Sequence, residues 1–142
     1  MGLAVVWDNT EKTVVRFIYG EIWTWEDFHS AITEANQMMD SVEHPVVSIV
    51  DMSHSRHVPD NPTRHIRQVV NESRNHNNSN ISVFLNADDF VQAICHASQR
   101  IYLDVRVFSK FYFADTLEEA RILAFNLRQS LLKTRDTKPL NE

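Results

Sequence analysis

An α/β architecture, with a mixed five-stranded sheet and about four helices in the order ββαβαβαβα, is implied by three features of this chain. Residues 111–120 run an apolar strand, Phe111 to Ala114, directly into a helix whose Thr116 and Glu119 have the spacing of a reciprocal capping box. Further strand-then-helix units can be read upstream at the same rhythm. The chain opens differently, with two short apolar runs and no helix between them. Parallel strands need a helical crossover, whereas a short polar turn joins antiparallel ones, so the sheet is mixed.

The first two strands are Leu3 to Trp7 and Thr13 to Tyr19, joined through the turn formers Asp8, Asn9 and Thr10. Gly20 closes the second. Thr24 caps the first helix, and Glu26 and Asp27 follow in its first turn, where the helix dipole favours anions. Trp23 and Phe28 flank that cap as a hydrophobic staple. Trp25, Phe28, Ala31, Ile32, Ala35, Met38, Met39 and Val42 then mark one buried face at the 3,4 spacing of a helix.

Pro45 ends that helix. Val46 to Val50 is apolar on both faces, as a central covered strand is. A polar loop, Asp51 to Asp60, leads to Asn61 and Pro62, the preferred cap and first residue of a second helix. Its apolar stripe is narrow: Ile66, Val69 and Val70. A polar stretch, Asn75 to Asn80, precedes the fourth strand, Ile81 to Leu85. The third helix starts near Asp88 and places Phe90, Ile94, Ala97 and Ile101 on one face. Residues 102–109 fit either a longer helix or irregular chain. The last helix runs from Leu117 to about Leu132 and buries Leu117, Ala120, Leu123, Ala124, Leu127 and Leu131. Residues 1–132 form one domain, and 133–142 read as a flexible tail. The helices are expected mainly on one side of the sheet.

Composition narrows the function classes. With 142 residues, 43% hydrophobic and 23% charged, the chain suffices for one core and is short for two. Its 2 glycines leave no Gly-rich loop for a P-loop or dinucleotide site. The net charge of −5 argues against nucleic acid as a partner. The single Cys95 forbids an internal disulfide and lies beside Ile94 on a helical stripe, as a buried structural thiol does. No apolar run approaches the ~20 residues of a membrane span, and no basic-then-apolar leader is readable. A cytoplasmic location without membrane contact is the expectation.

The element order and its landmarks resemble the STAS family, and within it the SpoIIAA-like branch of stand-alone bacterial proteins. The landmarks are Tyr19-Gly20 followed by Thr24 to Phe28, the strand Val46 to Asp51, and Phe113 to Ala120. The resemblance covers residues 3 to 130. It implies a non-enzymatic, anti-sigma-factor-antagonist-like signalling module whose partner is another protein, such as a kinase or an anti-sigma-like regulator. It also implies a phosphorylatable serine in the loop after the third strand, usually within Asp-Ser-Ser-Gly. The loop here, Asp51 to Thr63, has no such pattern and no glycine. The candidate acceptors are Ser53, Ser55 and Thr63.

The loop has its own chemistry. Residues 52–76 hold Arg56, Arg64, Arg67 and Arg74 with His54, His57, His65 and His76, against only Asp60 and Glu72. Arginine forks near a helix start can receive an anion or an acidic partner surface, which singles out Arg56, His57, Arg64 and Arg67. A solvated polar helix face is the competing reading. His54, His57, Asp60 and His65 match no metal-site spacing, so no metal or other cofactor is expected. Ser53, His57 and Asp51 include the residue types of a hydrolytic triad but lack a nucleophile elbow, so no enzyme is expected. Trp7, Trp23 and Tyr102 are candidates for partly covered interface residues, and with the sheet edge they suggest a homodimer. A second reading is a carrier of a small molecule or lipid, as in related sheet-and-helix domains. Its mark is an apolar cavity that the surrounding side chains cannot close.

Overall fold

The computed structural model describes residues 2–73, 81–101 and 110–136. Its elements are β1 (Leu3–Trp7), β2 (Val14–Tyr19), α1 (Trp25–Asp40), β3 (Val47–Asp51), α2 (Pro62–Ser73), β4 (Ile81–Leu85), α3 (Asp89–Ile101), β5 (Lys110–Ala114) and α4 (Leu117–Asp136). The ββαβαβαβα order is the expected one. The polar stretch 75–80, the ambiguous stretch 102–109 with Tyr102, and residues 137–142 lie outside the described residues.

The five strands lie side by side in sequence order; β1 and β2 are antiparallel, and β2 through β5 are parallel. This order has a consequence for the helices. Each parallel step advances one place in the same direction, and βαβ crossovers are overwhelmingly right-handed, so α1, α2 and α3 must share one face. The helix α4 follows the last strand, crosses nothing, and packs on the opposite face against β3, β4 and β5. The sheet is therefore covered on both sides, three helices against one, so the helices lie mainly on one side as expected and α4 closes the other.

Strand alternation divides the core in two. Val47, Ile49, Ile81, Val83, Leu85 and Ala114 face α4 and meet Ala120 and Ala124, both at 0% exposure. Val15, Phe17, Tyr19, Val50 and Met52 face the other way, toward Ala31, Ala35 and Met39 of α1 and Val91 and Cys95 of α3. The small side chains of α4 let its backbone approach the sheet closely, and its leucines close the margins.

Local signals act largely as anticipated. Thr24 accepts from the Asp27 amide, and Asp27 accepts from the Thr24 amide, completing a capping box at α1. Asp88 accepts from the Val91 amide at 2.9 Å and caps α3. Asn9 ties the first turn through the Thr13 and Val14 amides. Gly2 is a site of close approach: a Cβ there would meet the Ile22 carbonyl and Trp23 Cα, both at 2.9 Å.

Four expectations need correction. Glu119 reaches past Thr116 and accepts from the Asp115 amide at 2.7 Å, so the last cap is reciprocal over one residue more. Asn61 has φ 65, a left-handed backbone in place of the extended geometry of an N-cap. Phe90 is 56% exposed, while Val91 and Cys95 of α3 are buried. Apolar residues at 90, 91, 94 and 95 allow two overlapping stripes, and docking turns Val91, Ile94 and Cys95 inward while Phe90 is left outside. Finally, α4 continues to Asp136, into the stretch read as a tail, because extending an existing helix costs far less than nucleating one.

Candidate ligand-binding site

The face covered by three helices is not filled. A cavity of about 190 Å³ lies between the sheet and α1, α2 and α3. Its floor includes Phe17, Val50, Phe84 and Phe111; its roof includes Ile32 and Met39 of α1, Ile66 and Val69 of α2, and Ile94 of α3. For scale, an apolar cavity of about 150 Å³ is enough to admit benzene.

The strand register shows why space remains. At one level of the floor, Val15, Ser48, Ser82 and Phe111 stand in adjacent strands. Two serines in the centre of the sheet leave a trough where valine or leucine would rise toward the helices. Both are part-exposed although they sit mid-strand, because the cavity reaches them. Asn36, 9% exposed on the inner side of α1, also lines the cavity.

One wall is an aromatic cluster built by the start of α1. Tyr19 and Trp23 meet edge to face at 4.8 Å, Trp23 and Trp25 at 5.1 Å, and Trp25 and Phe28 at 5.1 Å. Such pairs add about 0.5–1.5 kcal/mol each beyond their burial. Trp23 Nε1 donates to Ser55 Oγ at 2.9 Å, and Trp25 Nε1 donates to the Asp60 carbonyl at 2.6 Å. The loop after β3 is thereby fastened to the cavity wall, to which it adds Val58.

Outside that wall, His65 of α2 stacks on Trp25 at 4.5 Å and 10°, and its Nδ1 lies 2.8 Å from His29 Nε2. A hydrogen bond between two imidazole nitrogens requires one donor and one acceptor, so the pair does not tolerate protons on both facing atoms. Burial, then His29, then Arg64 hold the His65 pKa below its ordinary value. The pair links α1 to α2.

Within the cavity, burial pushes the Cys95 thiol up to about 12 and, with Cys95 close by, raises the Tyr19 phenol. Both therefore stay protonated at neutral pH. The described lining residues include no Asp, Glu, Lys, Arg or His. The site can hold an apolar body and exchange hydrogen bonds with it, and it offers no countercharge.

Trp23 and Cys95 line this cavity, whereas the candidate phosphoacceptor, anion-binding and metal-ligand residues lie around it and not in it. Ser53 is exposed and its hydroxyl accepts from Asn86 Nδ2 at 2.9 Å. Ser55 is half-buried and committed to Trp23. Thr63, His57, Arg64 and Arg67 are exposed. Arg56 is 3.1 Å from Glu21 Oε1, and its side chain is 77% exposed. Among the described residues, no hydrogen bond or ion pair joins Ser53, Ser55 or Thr63 to these arginines. His54 is exposed and His65 turns to His29, and no group of three or more His, Cys, Asp or Glu is placed to hold a metal among the described residues. Asp51 Oδ1 accepts from the Ser53 amide and Oδ2 lies 3.8 Å from Arg16, so the triad residue types are not assembled as one. Trp23, at 5% exposure, belongs to the core, and Trp7 packs partly buried beside it.

Asn36, Ser48 and Ser82 were not among the sequence candidates. Their signal was present: a serine within each of two apolar strands, and an asparagine within an apolar helical face. Comparison with family models, with curated protein sequences and with solved structures returned no match. No helix among the described residues is long and apolar enough to cross a membrane.

Proposed function

We propose that this protein is a non-enzymatic binding domain that holds one small, predominantly apolar molecule between its sheet and α1–α3. The observation that carries the reading is the 190 Å³ cavity, walled by aromatic and aliphatic side chains and floored by serines in place of larger residues. A core that merely served stability would close such a space, since each unfilled volume costs packing energy. The test is titration with the neutral fluorescent probe N-phenyl-1-naphthylamine. Saturable 1:1 binding is expected, lost in Ser82→Phe, which plugs the floor, while thermal unfolding stays cooperative. An absence of saturable binding by the wild-type chain would falsify the reading.

A second reading follows the element order and the landmarks that resemble the STAS family. In it the domain is a cytoplasmic regulatory module, and its exposed loop meets another protein or a second copy of the chain. The exposure of Ser53, Thr63, Arg64 and Arg67 favours it. A phosphate on Ser53 or Thr63 would add charge beside these arginines and alter partner binding. Mass spectrometry of protein from its own host, followed by pull-down with Ser53→Asp and Thr63→Asp, tests this. An unmodified loop, with partner binding unchanged in both variants, would remove the switch. The two readings are compatible, because the loop that carries Ser55 and Val58 is part of the cavity wall.

A further inference from the structure

Resting on the cavity reading, we propose that the ligand is an uncharged molecule bearing a hydroxyl or carboxamide, anchored by the Asn36 side chain and the Ser48–Ser82 pair that line the same cavity.

The first support is a polar group that no protein partner holds. Asn36 is 9% exposed and lines the cavity, makes no side-chain hydrogen bond among the described residues, and keeps its amide open to the cavity, unlike the enclosed Arg16 Nε and His29 Nδ1. Amides on an inward face are almost always hydrogen-bonded, to protein, to water or to a ligand. An asparagine on an apolar helical face, where leucine would pack, therefore points to a partner supplied from the cavity. Its amide offers both a donor and an acceptor.

The second support is independent and comes from the sheet. Ser48 and Ser82 are register partners in β3 and β4, on the strand face that borders the cavity. Their hydroxyls likewise make no hydrogen bond among the described residues, and each can donate or accept. Helix and sheet thus each contribute uncommitted neutral hydrogen-bonding groups to a space otherwise lined with hydrocarbon. That is the arrangement of a ligand site: apolar walls supply affinity and a few polar groups supply orientation.

The third consideration sets the charge. The arginines are outside, and the described lining carries no ionisable group that is charged at neutral pH. A carboxylate or ammonium brought here would lose its hydration with no countercharge to replace it. A hydroxyl or carboxamide keeps its hydrogen bonds by exchanging water for Asn36 and the serines. The chemistry therefore separates alcohols, phenols and amides from free acids of the same shape.

The experiment compares three probes of one size, naphthalene, 2-naphthol and 2-naphthoate, by isothermal titration calorimetry at pH 7. The variants are Asn36→Leu and Ser48→Ala/Ser82→Ala, each first shown to unfold cooperatively. Wild-type protein is expected to bind 2-naphthol and naphthalene, and to bind 2-naphthoate at least about a hundredfold more weakly than 2-naphthol. Asn36→Leu is expected to weaken 2-naphthol about tenfold while leaving naphthalene within about threefold, the size of one or two lost hydrogen bonds. The serine double variant shifts the same ratio in the same direction. An unchanged naphthol-to-naphthalene ratio in both variants, or naphthoate binding equal to naphthol, overturns the anchor and leaves the cavity reading standing. Failure of all three probes overturns both.

Discussion

The two faces of this sheet are made from alternate residues of the same strands, yet they are finished differently. The α4 face is closed: Val47, Ile49, Val83, Ala120 and Ala124 are all at 0% exposure. The α1–α3 face carries larger and more aromatic side chains and still contains a 190 Å³ space. Bulk alone does not fill a core. A single helix with alanines at its centre can settle against a sheet, whereas the three helices over the trough floored by serines leave it open. One face secures the fold, and the other keeps room for a ligand.

The sharpest way to break this contrast is to damage the closed face. Ile49→Ala is expected to cost about 2–5 kcal/mol in urea unfolding, since a packed surround collapses poorly onto a deleted side chain. A loss below about 1 kcal/mol would show that this face is looser than its burial implies.

Next in size is the ion cluster at one end of the same face. Arg121 donates twice to Asp8 at 2.9 Å, and the Asp8 side chain, only 5% exposed, also lies 3.3 Å from Arg16 Nε. Asp8→Ala leaves Arg16 with only Asp51, at 3.8 Å, and is expected to cost about 1–3 kcal/mol, the lower part of that range if the 49% exposed Arg121 re-solvates freely. Chemical unfolding of Asp8→Ala with and without Arg121→Ala measures the coupling.

The open face should respond in the opposite sense. Ser48→Val/Ser82→Val places branched residues in a strand floor and removes two uncommitted hydroxyls. It is expected to raise stability by up to about 1 kcal/mol while reducing probe binding. If the double variant destabilises the protein by a comparable amount, the serines serve structure and the contrast between the faces fails.

The smallest effect is a slope with pH. The His65 pKa lies below its ordinary value in the folded chain, so below about pH 6.5 the unfolded chain binds protons more readily. The stability contribution is complete above that pH and is lost as pH falls through it toward the folded value. Thermal melts from pH 5 to 8 should show this decline, reduced in His65→Gln. An identical pH profile in wild type and variant would detach the histidine pair from the packing of α1 on α2.

Much of the fold was legible because its signals are local. The hairpin turn, the caps at Thr24, Asp88 and Thr116, and the period of each helix need only a few neighbouring residues to act. The site was not legible in the same way. Ser48 reads as an ordinary interruption of an apolar strand until Ser82 is placed beside it by parallel pairing across 34 positions of chain (82 minus 48). Asn36 reads as one polar residue on an amphipathic helix until the fold brings it into the lining of the same cavity as those serines. Conversely, of the arginines and histidines that stood out in sequence, Arg74 and His76 lie outside the described residues and the others, His65 apart, are solvent-facing, because a run of charge is also what any exposed helix face requires.

The element order follows from the chain, but it is the side-by-side strand order of the folded sheet, with right-handed crossovers, that sends α1, α2 and α3 to one side. Helix periodicity did not choose between Phe90 and Val91 as the inward residue of α3, since both stripes are apolar and only docking on the sheet separates them. Nor did hydrophobicity along the chain reveal a cavity. Apolar character states that a side chain leaves water; whether its neighbours then meet is a matter of three-dimensional packing, decided by contacts between residues far apart in sequence.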